Sequence, residues 1–222
     1  VCGIVIAIND ELALKYNYTD DYETRDSHIL AKLQGAPLTI KLYKYSKNNE
    51  YMVIERVKGK TLFETDELHL EGEALERITN REVIEKEFDR FFEFCSRAQI
   101  MPNDMHKGNV MVTETGEFKI VDYGLFKERR VSLASIKSSN EYEMRDILSV
   151  SEEYSRRFLQ VYLSEALKGY FKRLEEQFRK VGLSEGFIMR TMANTRREIV
   201  SKLSSKGLNK AKEEIQKLML EV

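Results

Sequence analysis

Up to Gly59 the apolar residues come in short β-prone runs broken by turn residues; beyond it they recur at helical spacing. Gly-Ile-Val-Ile-Ala-Ile at 3–8 and Glu-Leu-Ala-Leu-Lys-Tyr at 11–16 read as strands joined by a hairpin turn at Asn9-Asp10. Residues 19–33 read as a helix capped by Thr19, with Ile29, Leu30 and Leu33 on one face, and Pro37 closes that segment. Strands around 39–45 and 50–57 follow, joined by the polar turn Ser46-Lys-Asn-Asn49. These runs predict a small antiparallel sheet with one helix packed on it.

Residues 81–99 carry Ile84, Phe88, Phe91, Phe92, Cys95 and Ala98 along one helical stripe, which requires a core on that side. Two short strands are predicted near 110–112 and 118–121, joined by the turn Glu114-Thr-Gly116. From about Tyr142 onward the pattern is helical, with a stripe of Leu159, Leu163, Ala166, Leu167, Tyr170 and Leu174 and breaks at Gly182-Leu-Ser184 and Lys206-Gly207. The predicted fold class is therefore α+β: a sheet-and-helix beginning and a mostly helical remainder. The sequence shows no internal repeat and no low-complexity linker.

Composition narrows the setting. A hydrophobic fraction of 42% across 222 residues suits one large domain or two small lobes and excludes a disordered chain. Apolar runs are too short to span a bilayer, and nothing resembles a signal peptide. Cys2 and Cys95 form neither a disulfide framework nor a metal pattern, so a reducing cytoplasm is the expected location, with no membrane partner. With three histidines and no Cys/His cluster, a structural zinc site is not expected. Aromatic residues do not interleave with a basic patch, which argues against nucleic acid as a partner. From Ser151 onward 15 Lys and Arg face 10 Asp and Glu, although the whole chain carries −1. Basic helices of that kind can hold an acidic or activating partner; a solvated face is the plainer reading.

The chemistry concentrates in Met101-Pro-Asn-Asp-Met-His-Lys-Gly-Asn-Val-Met-Val112 and Val121-Asp-Tyr-Gly124. Asp104, Asn109 and Asp122 are oxygen-bearing side chains five and eighteen residues from the first of them. On a loop and two short strands they can converge on one hydrated metal–phosphate group.

That set, in that order, resembles the protein-kinase-like superfamily, and specifically a small atypical Ser/Thr kinase of RIO-like or phage/effector-type minimal form. The resemblance implies a bilobal fold with an N-lobe at 1–58 and a C-lobe at 59–222, and a first strand expected to precede Val1. It implies ATP and Mg2+ as cofactors and a protein substrate. Asp104 would be the catalytic Asp, with Asn109 and Asp122 holding Mg2+. Lys15, in Leu-Ala-Leu-Lys, resembles the lysine that neutralises the nucleotide phosphates, with Ala13 beside it in the cofactor site. Aligning Ile29-Leu30 with the end of the family's helix motif makes Asp26 the carboxylate that orients Lys15, with Glu23 one turn earlier as the alternative. Gly3 and Val5 resemble the end of the Gly-rich loop, Val5 packing on the adenine. Tyr51-Met-Val-Ile-Glu-Arg-Val-Lys-Gly59 resembles the hinge, in which Ile54 guards the pocket while the Glu55 carbonyl and the Val57 N–H pair with the adenine edge.

Several residues depart from the family pattern. Pro102-Asn103 replaces the usual His-Arg, so no arginine beside Asp104 awaits an activation-loop phosphate. His106 gives Asp-x-His-x-x-Asn, which resembles aminoglycoside and choline phosphotransferases; it would either donate to the γ-phosphate or be satisfied by backbone. Lys107 is an adjacent cation. Residues 125–141 lack Ala-Pro-Glu and contain Arg129, Arg130, Ser132, Ser135, Ser138 and Ser139, a basic serine-rich loop open to autophosphorylation. Asp146 would anchor the catalytic loop from below. Two rival readings remain: a small-molecule kinase, and a pseudokinase that only binds.

Overall fold

Asn9 sets the first turn. Its side-chain oxygen accepts from the backbone N–H groups of Glu11 and Leu12, each at 2.8 Å, and so folds strand β1 (Gly3–Ala7) back on β2 (Leu12–Asn17). β4 (Tyr51–Glu55) takes the other edge of β2, and β3 (Leu42–Tyr45) pairs outside β4, giving the antiparallel order β1-β2-β4-β3. The register sets Val5 opposite Lys15, Lys15 opposite Met52 and Ala13 opposite Ile54. Directly paired residues point to the same side of a pleated sheet, so these five side chains share one face. Helix α1 (Asp26–Lys32) buries Ile29 and Leu30, and Leu33 just beyond it is also buried.

The computed structural model describes residues 3–17, 26–64, 70–166, 168–204, 211 and 213–215. Thr19, Glu23, Leu167 and the break at 206–207 lie outside the described residues, as do the side chains of Leu163 and Ala166.

At residues 56–58 the chain leaves the first sheet and enters a second, in which β5 (Gly59–Thr61) pairs with β7 (Val110–Thr113) and β7 with β8 (Phe118–Ile120). Glycine at 59 is dictated by packing: a Cβ there would sit 2.0 Å from the carbonyl oxygen of Val112. A third pair joins β6 (Ile100–Met101) to β9 (Lys127–Glu128). Between α1 and β3 the chain runs beside β8, where Ile120 N–H donates to Leu38 O at 2.8 Å and Thr39 bridges Ile120 in parallel.

Helix α2 (Gly72–Thr79) precedes the long α3 (Arg81–Ala98), whose predicted stripe is the buried one: Ile84, Phe88, Phe91, Phe92 and Cys95. Phe88 meets Phe118 of β8 edge-on at 6.0 Å, and Phe91 meets Phe126 at 6.4 Å. The serine-rich stretch is not an open loop. Residues Leu133–Ser139 form helix α4, started by Ser132, whose hydroxyl accepts from the Ser135 N–H at 3.2 Å, and held down by buried Ile136.

The chain forms two compact units, Val1–Arg77 with Glu82–Leu148, and Ile78–Arg81 with Ser149–Val222. The predicted chemistry lies wholly in the first, and so does position 58, read as the boundary between lobes. The second unit is built from α5 (Glu141–Ala166, from residue 149 on), α6 (Lys168–Lys180) and α7 (Glu185–Ser204). Leu159, Phe171, Ile188 and Met192 are buried in it, and Arg196 caps the Phe171 ring at 4.7 Å. Gly182, at φ +80°, makes the turn between α6 and α7 at the predicted break. No helix among the described residues is long and apolar enough to cross a membrane.

Candidate active site

Lys15 is the centre of the arrangement. Alternation along β2 turns Ala13 and Lys15 to the buried side, and Lys15 is only 8% exposed. A buried ammonium must be paired, and this one has two partners. Its Nζ bonds the Oδ2 of Asp26 in α1 and lies 3.1 Å from the Oδ1 of Asp122. Burial works against the charge on Lys15, but the carboxylates of Asp26 and Asp122 outweigh it and hold the lysine above its usual value. Burial drives Asp26 the other way for an acid, upward, with the Lys15 ammonium opposing it. Asp26 is 2% exposed, whereas the Asp122 side chain is 47% exposed. The pair therefore has a dry inner end and a wet outer end.

Local bonds fix each partner. At the start of α1, Ser27 donates through its backbone N–H (3.2 Å) and its hydroxyl (2.5 Å) to the Asn49 side-chain oxygen. Asp122 Oδ1 accepts from the Gly124 N–H at 3.0 Å. Glycine at 124 keeps the two acids close, because a Cβ there would lie 3.2 Å from Asp26 Oδ1 and 3.4 Å from Asp122 Oδ1. Tyr123, 1% exposed, donates its hydroxyl to Ile120 O at 2.6 Å and accepts from the Ile40 N–H at 3.3 Å. Burial pushes its phenol far up, so it stays neutral.

The loop after β6 carries the second group. Asp104 has a left-handed backbone, φ +62°, a conformation few non-glycine residues adopt and one that collects at functional sites. The Asn109 amide donates to Asp104 O (2.8 Å) and Asp104 Oδ2 (3.1 Å), which leaves the Asn109 side-chain oxygen as its acceptor. The Asn109 carbonyl accepts from the Val121 N–H at 3.0 Å, placing this loop beside Asp122. Of the two roles foreseen for His106, the structure shows a backbone contact, Nδ1 accepting from the Gly108 N–H at 2.9 Å, while Nε2 lies 3.7 Å from Asp104 Oδ1. The backbone bond at Nδ1 puts the ring proton of the neutral tautomer on Nε2. Lys107 is committed elsewhere, to Asp146 at 2.9 Å. Asp146 thus anchors the loop from below through Lys107, and Asn140 adds a bond to Pro102 O at 3.1 Å.

The structure brings Lys15, Asp26 and Asp122 into contact, and Asp104, His106 and Asn109 into contact beside them. The remaining candidates sit on the first sheet and its exit. Ala13 (4% exposed) and Ile54 (5%) flank Lys15 on its buried face, and Val5 shares that face but is 59% exposed. Gly3 lies opposite Asn17, where a Cβ would come within 2.5 Å of Tyr16 O. Glu55 ends β4 with its side chain accepting from the Lys41 N–H at 2.9 Å, and Val57 is half-buried in the segment leading to β5. Sequence reasoning missed Tyr123 as a strut and Glu128 as a tether to α1; the Tyr in Asp-Tyr-Gly was the only available signal for the first.

Among the described residues no group of three or more His, Cys, Asp and Glu side chains is placed to hold a metal ion. Asp104, Asn109 and Asp122 are hard oxygen donors open to solvent, which suits Mg2+ that completes its shell with water and phosphate oxygens. The residues fit the ion on those terms.

A strand lysine paired with a helix carboxylate and with the Asp of an Asp-Tyr-Gly turn, next to an Asp-x-His-x-x-Asn loop, resembles the arrangement of a protein-kinase-like centre. Residues 36–139 match the family described as the ABC1 atypical kinase-like domain. Over those residues the chain is similar to an atypical kinase-like domain of the protein-kinase-like superfamily, and its mixed α+β architecture with a small antiparallel sheet fits that bilobal fold. The match takes in Asp104, His106, Asn109 and Asp122, while Lys15 and Asp26 lie upstream of it and reach the site through their contacts. No curated protein matches the chain.

Proposed function

We propose that this domain is an ATP- and Mg2+-dependent phosphotransferase that passes the γ-phosphoryl group of ATP to a Ser or Thr hydroxyl of a protein. The observation that carries the reading is the position of Lys15, bonded at once to buried Asp26 and to half-exposed Asp122. A cation held by a buried acid on one side and by a metal-competent acid on the other is preorganised for the phosphates of a metal–nucleotide complex.

Asp26 fixes the Lys15 ammonium, so that its charge faces the α/β-phosphates without reorganising. Asp122 and the Asn109 side-chain oxygen would hold Mg2+, which when bound neutralises phosphate charge and clamps the transferred group. Asp104 accepts or orients the proton of the attacking hydroxyl, its carboxylate steadied by Asn109. His106 Nε2–H stands next to that carboxylate and can donate to a phosphoryl oxygen. Ala13, a small buried residue on the Lys15 face, and Ile54 beside it would leave room for a flat base, with the Glu55 carbonyl and Val57 N–H as its edge partners.

The test is transfer from radiolabelled ATP to generic protein substrates by wild type, Asp104→Ala and Asp122→Ala. Transfer by wild type and its loss in both variants supports the reading; undiminished transfer in both removes it. His106 favours a second acceptor class, because Asp-x-His resembles the small-molecule phosphotransferases. Sugars, aminoglycosides and choline belong in the same assay, and phosphorylation of one of them with no protein labelled would reassign the acceptor. Nucleotide binding with no transfer to anything would mark a pseudokinase.

A further inference from the structure

Helix α1 must hold Asp26 against Lys15, yet the described part of it is two turns long and ends at Lys32. A second anchor lies at that far end. Glu128, in β9, accepts from His28 Nε2 through Oε1 at 2.9 Å and from Lys32 Nζ through Oε2 at 2.5 Å. His28 and Lys32 are four residues apart, one turn on the same side of α1, so one carboxylate spans both. β9 in turn pairs with β6, Met101 opposite Lys127 and Ile100 opposite Glu128, and β6 leads through Pro102 and Asn103 to Asp104. An unbroken path therefore runs from Asp26 along α1 to Glu128, across to β6 and on to the catalytic loop.

We propose that Glu128 is a positioning residue that couples α1 to the strand preceding Asp104, its permanent charge keeping Asp26 on Lys15 without any phosphate on the segment after Asp122. The assignment of catalytic roles to Lys15 and Asp104 rests on the function proposed above; the coupling itself does not. Segments of this kind often need an added charge to dock on a neighbouring helix. Here a glutamate already occupies the docking point, and the sequence lacks the arginine beside Asp104 that would receive such a phosphate. Without the carboxylate, the basic side chains at 28 and 32 would face each other at an i,i+4 spacing that disfavours the helix when both are charged.

Glu128→Gln keeps the shape and removes the charge. Two readouts follow it: amide hydrogen exchange across residues 27–32, and affinity for a fluorescent ATP analogue with Mg2+. Faster exchange in α1 and an affinity lowered about threefold are expected, the scale of a half-exposed ion pair. Where transfer is measurable, the loss falls on KM for ATP rather than on kcat. Glu128→Lys should be worse, and adding Lys32→Glu to it should recover protection and affinity by restoring one pair in reverse. Phosphatase treatment of wild type should leave affinity unchanged. Wild-type exchange and affinity in Glu128→Gln, or no recovery in the reversed pair, would overturn the coupling, and loss of affinity on phosphatase treatment would overturn the independence from phosphate. A wild type that binds no nucleotide while Glu128→Gln still loosens α1 would sink the proposed function and leave the coupling standing.

Discussion

Replacing Tyr123 with Phe removes one oxygen from a site buried away from solvent. The hydroxyl is the donor to Ile120 O and the acceptor for the Ile40 N–H, and the residue is 1% exposed. Each neutral hydrogen bond contributes about 0.5–1.5 kcal/mol net, and a buried group left unpaired adds to the loss, so Tyr123→Phe should destabilise by about 2–3 kcal/mol. The phenol stays neutral because burial pushes its pKa far up, so the loss should be the same at pH 6 and at about pH 9. Urea unfolding is the assay: the midpoint should fall with an unchanged slope, and the Ile40 amide should lose exchange protection. Family resemblance alone gives the opposite expectation, since Asp-Phe-Gly is the commoner form of this turn. A loss below about 0.5 kcal/mol, within ordinary surface-substitution scatter, would refute the claim that Tyr123 stitches residues 38–40 to the Asp122 segment.

Two further outcomes follow from the geometry. Gly59→Ala drives a Cβ into the Val112 carbonyl and should cost about 1–3 kcal/mol or more as the β5–β7 pair shifts, seen as a lowered thermal midpoint; a neutral result would contradict the close approach. Lys15 is held above its usual value, so its contribution to stability is complete below that value and disappears as pH rises through the raised one. Alkaline denaturation should therefore show a limb that Lys15→Met lacks, and identical curves for the two proteins would sink the buried-pair description.

Much of the site was readable because its residues are chemically costly anywhere else. A lysine at the end of an apolar strand and an Asp four residues before Leu30 made a pair worth proposing, and the structure joins Lys15 to Asp26 and also to Asp122. The stripe on α3 was readable for the same reason, since four large apolar side chains and a cysteine at helical spacing have to be buried together. Gly59 was legible as a position but not as a cause, because the Val112 carbonyl that demands it comes from a distant strand. Helix α4 was hidden by composition: serines and a lysine outnumber its one buried anchor, Ile136, although Ser132 carried a usable capping signal. The two-residue strands β6 and β9 have too little pattern to announce themselves. Glu128 looks like any surface glutamate until α1 is in place across from it.

The proposed function requires Lys15, Asp122 and Asn109 to serve one metal–nucleotide complex. Titration with a fluorescent ATP analogue, with and without Mg2+, on wild type, Lys15→Met and Asp122→Asn tests it most directly. Wild type should bind with an affinity that Mg2+ strengthens; Lys15→Met should bind more weakly in both conditions, and Asp122→Asn should lose the Mg2+ dependence. Binding that ignores Mg2+ in wild type, or Asp122→Asn that responds to Mg2+ as wild type does, would contradict it.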